Sequence, residues 1–229
     1  LPHYKIRIFY ASGELAMTVI AVIDYDMGNL HSACKGLEQA GATTHVTDRY
    51  SDLVQADAVV LPGVGAFNPA MQHLHSRDLV QPIRDIVASG KPFLGICLGL
   101  QILFEGSEEG QAAGLGIIPG TVRRFQPEPR LTIPHMGWNQ LQLTQAAHPL
   151  WSQLTANPWM YFVHSYYAAP TDPAANAAVI THGTQTVTAA VADKNIMAVQ
   201  FHPEKSSTAG LQVLSNFVAL VRQQLLVEV

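Results

Sequence analysis

The stretch Gly95-Ile96-Cys97-Leu98-Gly99 decides how this sequence is read. It sets a cysteine between two glycines, directly after the apolar Phe93-Leu94 and directly before the helix-compatible residues 98–104. The run ahead of it is short, apolar and bounded by Gly90 and Pro92, which fits a buried strand. A side chain carried on such a strand-to-helix turn stands at a sharp bend, and glycines on either side relieve the crowding of that bend.

The Gly-x-Ser-x-Gly elbow uses the same device with serine as the nucleophile. Here the following helix aims free N–H groups and the positive end of its dipole at the sulfur, and both favour the nucleophilic thiolate. The Leu98 N–H, immediately after the nucleophile, is placed to receive an oxyanion. Far downstream, Gln200-Phe201-His202-Pro203-Glu204 supplies a base and a carboxylate two residues apart. In extended chain, residues i and i+2 share a face. Glu204 is therefore expected to hold the His202 imidazole in its working tautomer while His202 exchanges a proton with Cys97. The plain alternatives are a buried apolar cysteine and a surface ion pair, and the co-occurrence of the two motifs weighs against both. Cys34, in a helical pattern without flanking glycines, reads as packing.

The 229 residues, 48% of them hydrophobic, supply enough apolar material for one sizeable core. A formal net charge of −4 and the lack of a long basic cluster argue against a nucleic-acid surface. Two cysteines in such different contexts do not form a disulfide framework, so a reducing cytoplasm is expected. No apolar run reaches membrane-spanning length, and the apolar patch Ile6–Tyr10 within residues 1–16 is too short for a signal segment. Met17 immediately precedes the first core strand. Residues 1–16 accordingly read as an N-terminal extension, and 17–229 as a single domain. Ten histidines show no metal-ligand spacing, so neither a metal nor another cofactor is expected.

Along the chain, strand candidates at 19–23, 43–47, 58–61 and 93–96 alternate with helical patterns at 30–40, 71–75 and 79–88. The alternation predicts an α/β fold, an open and mostly parallel twisted sheet flanked by helices. After about residue 115 the chain turns strand-rich, with candidates at 141–143, 159–163, 177–181, 187–192 and 196–201, closed by an amphipathic helix over 211–221. Ligands of open parallel sheets bind beyond the carboxyl ends of the strands. Pro62-Gly63-Val64-Gly65-Ala66-Phe67 and Cys97 should meet at that edge, where a backbone N–H of the glycine segment can act as a second oxyanion donor. Gly63 and Gly65 also let this segment turn, which would allow the Val64 N–H to point away from substrate at rest. His135 and His164 stand in unusual aromatic and Gly/Pro contexts.

The cysteine and His-Pro-Glu motifs together resemble those of the class I, or triad, glutamine amidotransferases, and the likeness runs from Thr18 onward. Asp24-Tyr25-Asp26-Met27-Gly28-Asn29-Leu30, Pro134-His135-Met136-Gly137-Trp138-Asn139 and Tyr161-Phe162-Val163-His164-Ser165-Tyr166 narrow the resemblance to the glutaminase subunits of imidazole glycerol phosphate synthase. The resemblance implies that glutamine is hydrolysed to glutamate and ammonia through a thioester on Cys97, with His202 and Glu204 completing the triad. It implies an oxyanion hole at Val64 and Leu98. It implies glutamine-binding roles for Gly63, Gly65, Gln101, Ser165 and Tyr166. It also implies a separate (β/α)8 cyclase partner that uses the ammonia in histidine biosynthesis, with Asn29, Trp138, Tyr161 and Lys205 near the interface. On residue type alone those four read as a turn residue, two core aromatics and a solvated lysine. Related scaffolds serve glutaminase subunits of other synthases, against which the segments 62–67 and 134–139 argue, and γ-glutamyl peptidases, against which the absence of an evident secretion signal argues.

Overall fold

In a computed structural model, residues 17–227 are described; the extension over 1–16 lies outside them. The first half alternates as the sequence predicts. Strand β1 (Val19–Ile23) leads to helix α1 (Leu30–Gln39), β2 (Thr43–Thr47), α2 (Tyr50–Gln55), β3 (Ala58–Gly63), α3 (Phe67–Ser76), α4 (Val80–Ala88), β4 (Phe93–Cys97) and α5 (Leu98–Gln101). Nine further strands follow: β5 (Gly106–Ser107), β6 (Gly120–Arg124), β7 (His135–Gln140), β8 (Gln142–Leu143), β9 (Trp159–His164), β10 (Tyr166–Pro170), β11 (Asn176–His182), β12 (Gln185–Asp193) and β13 (Ile196–Val199). The chain closes on α6 (Ser207–Val227).

The central sheet has eight strands in the order β2-β1-β3-β4-β13-β12-β11-β8. From β2 to β13 every pairing is parallel, and from β13 to β8 every pairing is antiparallel. Alternate residues of each parallel strand enter opposite cores, as a period of two demands. Ile20 and Val22 of β1 join one cluster with α1 and α6, while Ala21 and Ile23 join the other with α3 and α4. Both faces are thus covered, and the central strands read as continuous apolar runs. A three-stranded sheet (β10-β6-β5) and the ribbon β7-β9 sit beside this frame. No described helix is long and apolar enough to cross a membrane.

Four expectations need correction. The helix after Cys97 spans only Leu98–Gln101, a single turn where residues 98–104 were expected. Its first N–H groups still face the bend, but one turn sums few peptide dipoles. The last parallel strand stops at Val199, two residues short of the predicted 201. His202 and Glu204 do not share a face of extended chain, because Pro203–Lys205 form a 3₁₀ turn. The helix predicted over 71–75 begins four residues earlier, at Phe67.

Candidate active site

Cys97 is the last residue of β4 and the residue ahead of α5, with φ +56° and ψ −108°. A side chain held in the left-handed region costs of order 1–3 kcal/mol and persists only where its surroundings fix it. The neighbouring glycines show what fixes it. A Cβ on Gly99 would lie 1.8 Å from the Leu61 carbonyl oxygen, and one on Gly95 would lie 2.8 Å from the Gly99 carbonyl oxygen. Only glycine lets α5 fold this tightly back onto β3 and β4.

Register then assembles the site. Gly63 of β3 stands directly opposite Cys97, so Val64 and Gly65 leave the sheet beside it. On the other flank Val199 of β13 pairs with Ile96, and the chain continues through Gln200 and Phe201 to His202. A cleft of about 320 Å³ opens at this carboxyl edge. Of the residues singled out in the sequence, Val64, Gly65, Cys97, Leu98, Gln101, Ser165, Tyr166 and His202 all line it. Gly63 lies behind the cleft wall, where an added Cβ would meet the Tyr25 hydroxyl at 2.2 Å. A larger groove of about 760 Å³ lies by the amino ends of β4 and β13, and none of these residues faces it.

His202 Nδ1 and Glu204 Oε1 are 2.9 Å apart, with both side chains nearly fully buried. Nε2 of His202 and Oε2 of Glu204 have no hydrogen-bond partner among the described residues. Nδ1 is therefore committed to the carboxylate, and Nε2, buried without another partner, is the ring nitrogen left for Cys97. Burial pushes the imidazole toward its neutral form, but Cys97 and Glu204 outweigh it and carry the pKa up to about 9. The His202 loop is tied down by backbone. His202 N–H donates to the Tyr161 carbonyl at 3.0 Å. The buried Ser206 hydroxyl donates to the His202 carbonyl at 2.7 Å and accepts from Tyr161 N–H at 2.9 Å.

The opposite wall is a polar chain. Gln101 Nε2 donates to the Tyr166 carbonyl at 2.9 Å and to Gln200 Oε1 at 3.0 Å. Gln200 Nε2 in turn lies 3.7 Å from Cys97 Sγ. The Val64 N–H, expected as an oxyanion donor, donates instead to the Met27 carbonyl at 2.9 Å. Sequence reasoning missed three contributors here: Glu109, whose Oε2 accepts the Phe67 N–H at 2.8 Å from the cleft wall, Gln200, and the fully buried Tyr25. Glu109 lacked any motif, while Gln200 was hidden as a prefix to His-Pro-Glu.

The interface candidates lie outside the cleft. Asn29 caps α1, its side chain accepting from Ser32 N–H. Trp138 and Tyr161 face each other across the β7-β9 ribbon with rings 6.1 Å apart, and Trp138 is exposed, so it is not the core aromatic its residue type implies. Lys205 is exposed in the turn beside Glu204. No group of three or more His, Cys, Asp or Glu among the described residues is arranged to hold a metal ion.

Residues 21–221 match the family model described as glutamine amidotransferase class-I. The chain belongs to the class-I glutamine amidotransferase family. Within this family it is 72% identical over 211 residues to the imidazole glycerol phosphate synthase subunit HisH of Cyanothece sp. (strain PCC 7425 / ATCC 29141), covering 92% of this chain and 100% of the relative. It is likewise 72% identical to the HisH subunit of Acaryochloris marina (strain MBIC 11017), across 91% of this chain and 98% of that one. The amidotransferase fold is shared with PurLQS from Thermotoga maritima at a TM-score of 0.67 and 17% identity, over 92% of this chain and 100% of that one. It is also shared with the glutaminase domain of Trypanosoma brucei CTPS at a TM-score of 0.62 and 16% identity, over 90% and 94% of the two chains. At such identities these two structures speak for the fold.

Proposed function

We infer that this amidotransferase is the glutaminase subunit of an imidazole glycerol phosphate synthase, and that residues 17–229 act as one unit in it. The observation that carries the chemistry is the buried Glu204–His202 pair, open at Nε2, on the rim of a cleft that also holds Cys97. Cys97 Sγ attacks the side-chain amide carbon of glutamine. The carbonyl oxygen takes up negative charge, which the Leu98 N–H and a turned Val64 N–H stabilise. Protonated His202 gives its proton to the departing ammonia, leaving a γ-glutamyl thioester. Neutral His202 then takes a proton from water, whose oxygen attacks the thioester and releases glutamate with return of the cysteine. Gly63, Gly65, Gln101, Ser165 and Tyr166 orient glutamine. Glu109, the carboxylate on the cleft wall, suits the substrate's α-ammonium.

Ammonia is useful to a synthase only in its unprotonated form, which favours delivery inside a complex. The reading therefore includes docking to a (β/α)8 cyclase subunit. An apolar surface beside the cleft supports this. Met136, Trp138 and Trp159 are 63%, 49% and 53% exposed on the β7-β9 ribbon, and isolated large apolar residues do not cluster this way by chance on a solvated face. Asn29, Tyr161 and Lys205 extend the same edge. Both described cysteines are free thiols, which suits a cytoplasmic setting.

The test is Cys97→Ala in complex with the cyclase subunit. Glutamine-dependent synthesis is lost, and synthesis from added ammonium salts is retained. Substantial glutamine turnover by the Cys97→Ala complex would overturn the assignment.

A further inference from the structure

Two buried histidines take no part in the chemistry above. His135 opens β7, His164 closes β9, and the ladder sets them directly opposite each other. Their rings are linked, with His135 Nδ1 3.1 Å from His164 Nε2. Packing against Phe125, whose ring centroid lies 5.1 Å from that of His164 and 6.3 Å from that of His135, keeps the pair in an apolar shell.

The direction of every hydrogen bond in this chain is fixed by its ends. His164 Nδ1 lies 2.9 Å from the Tyr166 carbonyl, which can only accept, so Nδ1 carries the proton. In a neutral ring Nε2 then accepts, so His135 donates from its own Nδ1. His135 Nε2 is left as the acceptor, and the Asn139 amide nitrogen stands 3.3 Å away. Asn139 cannot be turned round, because its oxygen accepts the Gln140 N–H at 2.8 Å while its nitrogen also donates to the Thr181 carbonyl at 3.0 Å. Burial lowers the pKa of His164 to about 3 and that of His135 to about 4, with nearby His182 acting in the same direction on both, so both rings stay neutral at physiological pH.

The chain thus runs one way, from Asn139 through His135 and His164 to the Tyr166 carbonyl. That carbonyl is also the acceptor for Gln101, whose amide reaches Gln200 beside Cys97. Between His135 and Asn139, β7 carries Met136 and Trp138 on its exposed face.

We propose that His135 and His164 are positioning residues that join the partner-facing strand β7 to the glutamine-binding wall, by holding the Tyr166 carbonyl and through it the Gln101 amide in one orientation. The proposal rests on the reading that the cleft takes glutamine and the β7-β9 ribbon takes the partner. A partner seated on Trp138 then acts on the substrate wall through two rings whose hydrogen bonds tolerate only one arrangement.

His135→Phe keeps an aromatic ring in the apolar shell and removes both hydrogen bonds; His135→Gln restores a donor. In the complex with the cyclase subunit, His135→Phe raises the KM for glutamine about tenfold, the scale of one lost buried hydrogen bond, and leaves kcat within about twofold. His135→Gln recovers most of the loss. Nitrogen-15 spectra of the unsubstituted chain show both rings as neutral Nδ1–H tautomers. A proton on Nε2 of either ring, or an unchanged KM in a folded His135→Phe complex, would overturn the proposal. A fall in thermal stability with wild-type KM is the mark of a merely structural pair and counts against it. Lack of glutamine turnover by the unsubstituted complex would remove the functional reading instead, and the proposal with it.

Discussion

Replacing Glu204 with Gln keeps the side chain's size and removes its charge. In the structure the carboxylate lies 2.9 Å from His202 Nδ1, and the two side chains are only 4% and 3% exposed. Solvent screens such a pair little. Burial alone lowers the imidazole's pKa, and Cys97 and Glu204 together carry it up to about 9 instead. Against an ordinary value of 6.5, that corresponds to about 3 kcal/mol in favour of the imidazolium. The carboxylate's own part is set by the scale of a charged hydrogen bond, on the order of 1.5–3 kcal/mol. Glu204→Gln should lower kcat/KM for glutamine in the complex by about 10- to 100-fold. His202→Ala, which removes proton transfer altogether, should be more damaging. Stability gives a second readout. A folded-state pKa above the unfolded one contributes stability in full below about pH 6.5, lost as pH rises through about 9. The unsubstituted chain should therefore lose stability between pH 6 and 9.5 by urea unfolding, and Glu204→Gln should lose less over the same window. Equal losses in the two proteins, or a Glu204→Gln enzyme slower than His202→Ala, would refute the reasoning.

Two further outcomes follow from the flanks of the site. Under the proposed oxyanion roles, the Val64–Met27 contact leaves the isolated chain one donor, and kcat should rise about 10²–10³-fold in the complex whose cyclase carries its substrate, with little change in glutamine binding; equal kcat for the free chain, the complex and the substrate-loaded complex would exclude gating. Ser206→Ala leaves the Tyr161 N–H unpaired behind the His202 loop and should cost about 1–3 kcal/mol in denaturant unfolding, together with slower turnover.

The parallel half of the fold was legible because β1, β3 and β4 are buried apolar runs and because Gly41 and Gly90 punctuate two of its helices. Val19–Ile23, Ala58–Gly63 and Phe93–Cys97 lie where apolar runs and breakers put them. Helix α2 escaped notice because Leu53 is its one buried residue, which leaves no periodic stripe to read. Strands β6 and β10 were missed for a similar reason: each buries a single central side chain, Val122 or Ala168, and otherwise presents mixed residues. The cleft itself was legible through residues whose type is chemically unusual, Cys97 and His202 above all. Its second layer was not. Gln200, Glu109 and the His135–His164 link act through distances between segments far apart in the chain, and no spacing in the sequence encodes them. Nor does residue type distinguish Trp138, exposed on a ribbon, from a tryptophan in a core.

The resting arrangement is built to be easy to change. The Val64–Met27 contact is one neutral backbone hydrogen bond, and such a bond contributes about 0.5–1.5 kcal/mol. Restoring the second oxyanion donor is worth about 3–4 kcal/mol to the transition state. The latch is therefore weak beside that gain, and Gly63 and Gly65 keep the strain of a turned peptide small. Gly65 already has φ +107°, a value that glycine adopts at no steric cost. A docked partner needs to prefer the turned state by only a few kcal/mol, and that preference has to come from contacts made in one state and not the other. Val64 is itself exposed, on the same edge as the β7-β9 ribbon. Tyr161 of that ribbon holds the His202 loop through both its N–H and its carbonyl. Under the proposed roles, one docking event on this edge would bear on the Val64 peptide from one side of Cys97 and on His202 from the other, so activation would not require a signal through the core of the sheet.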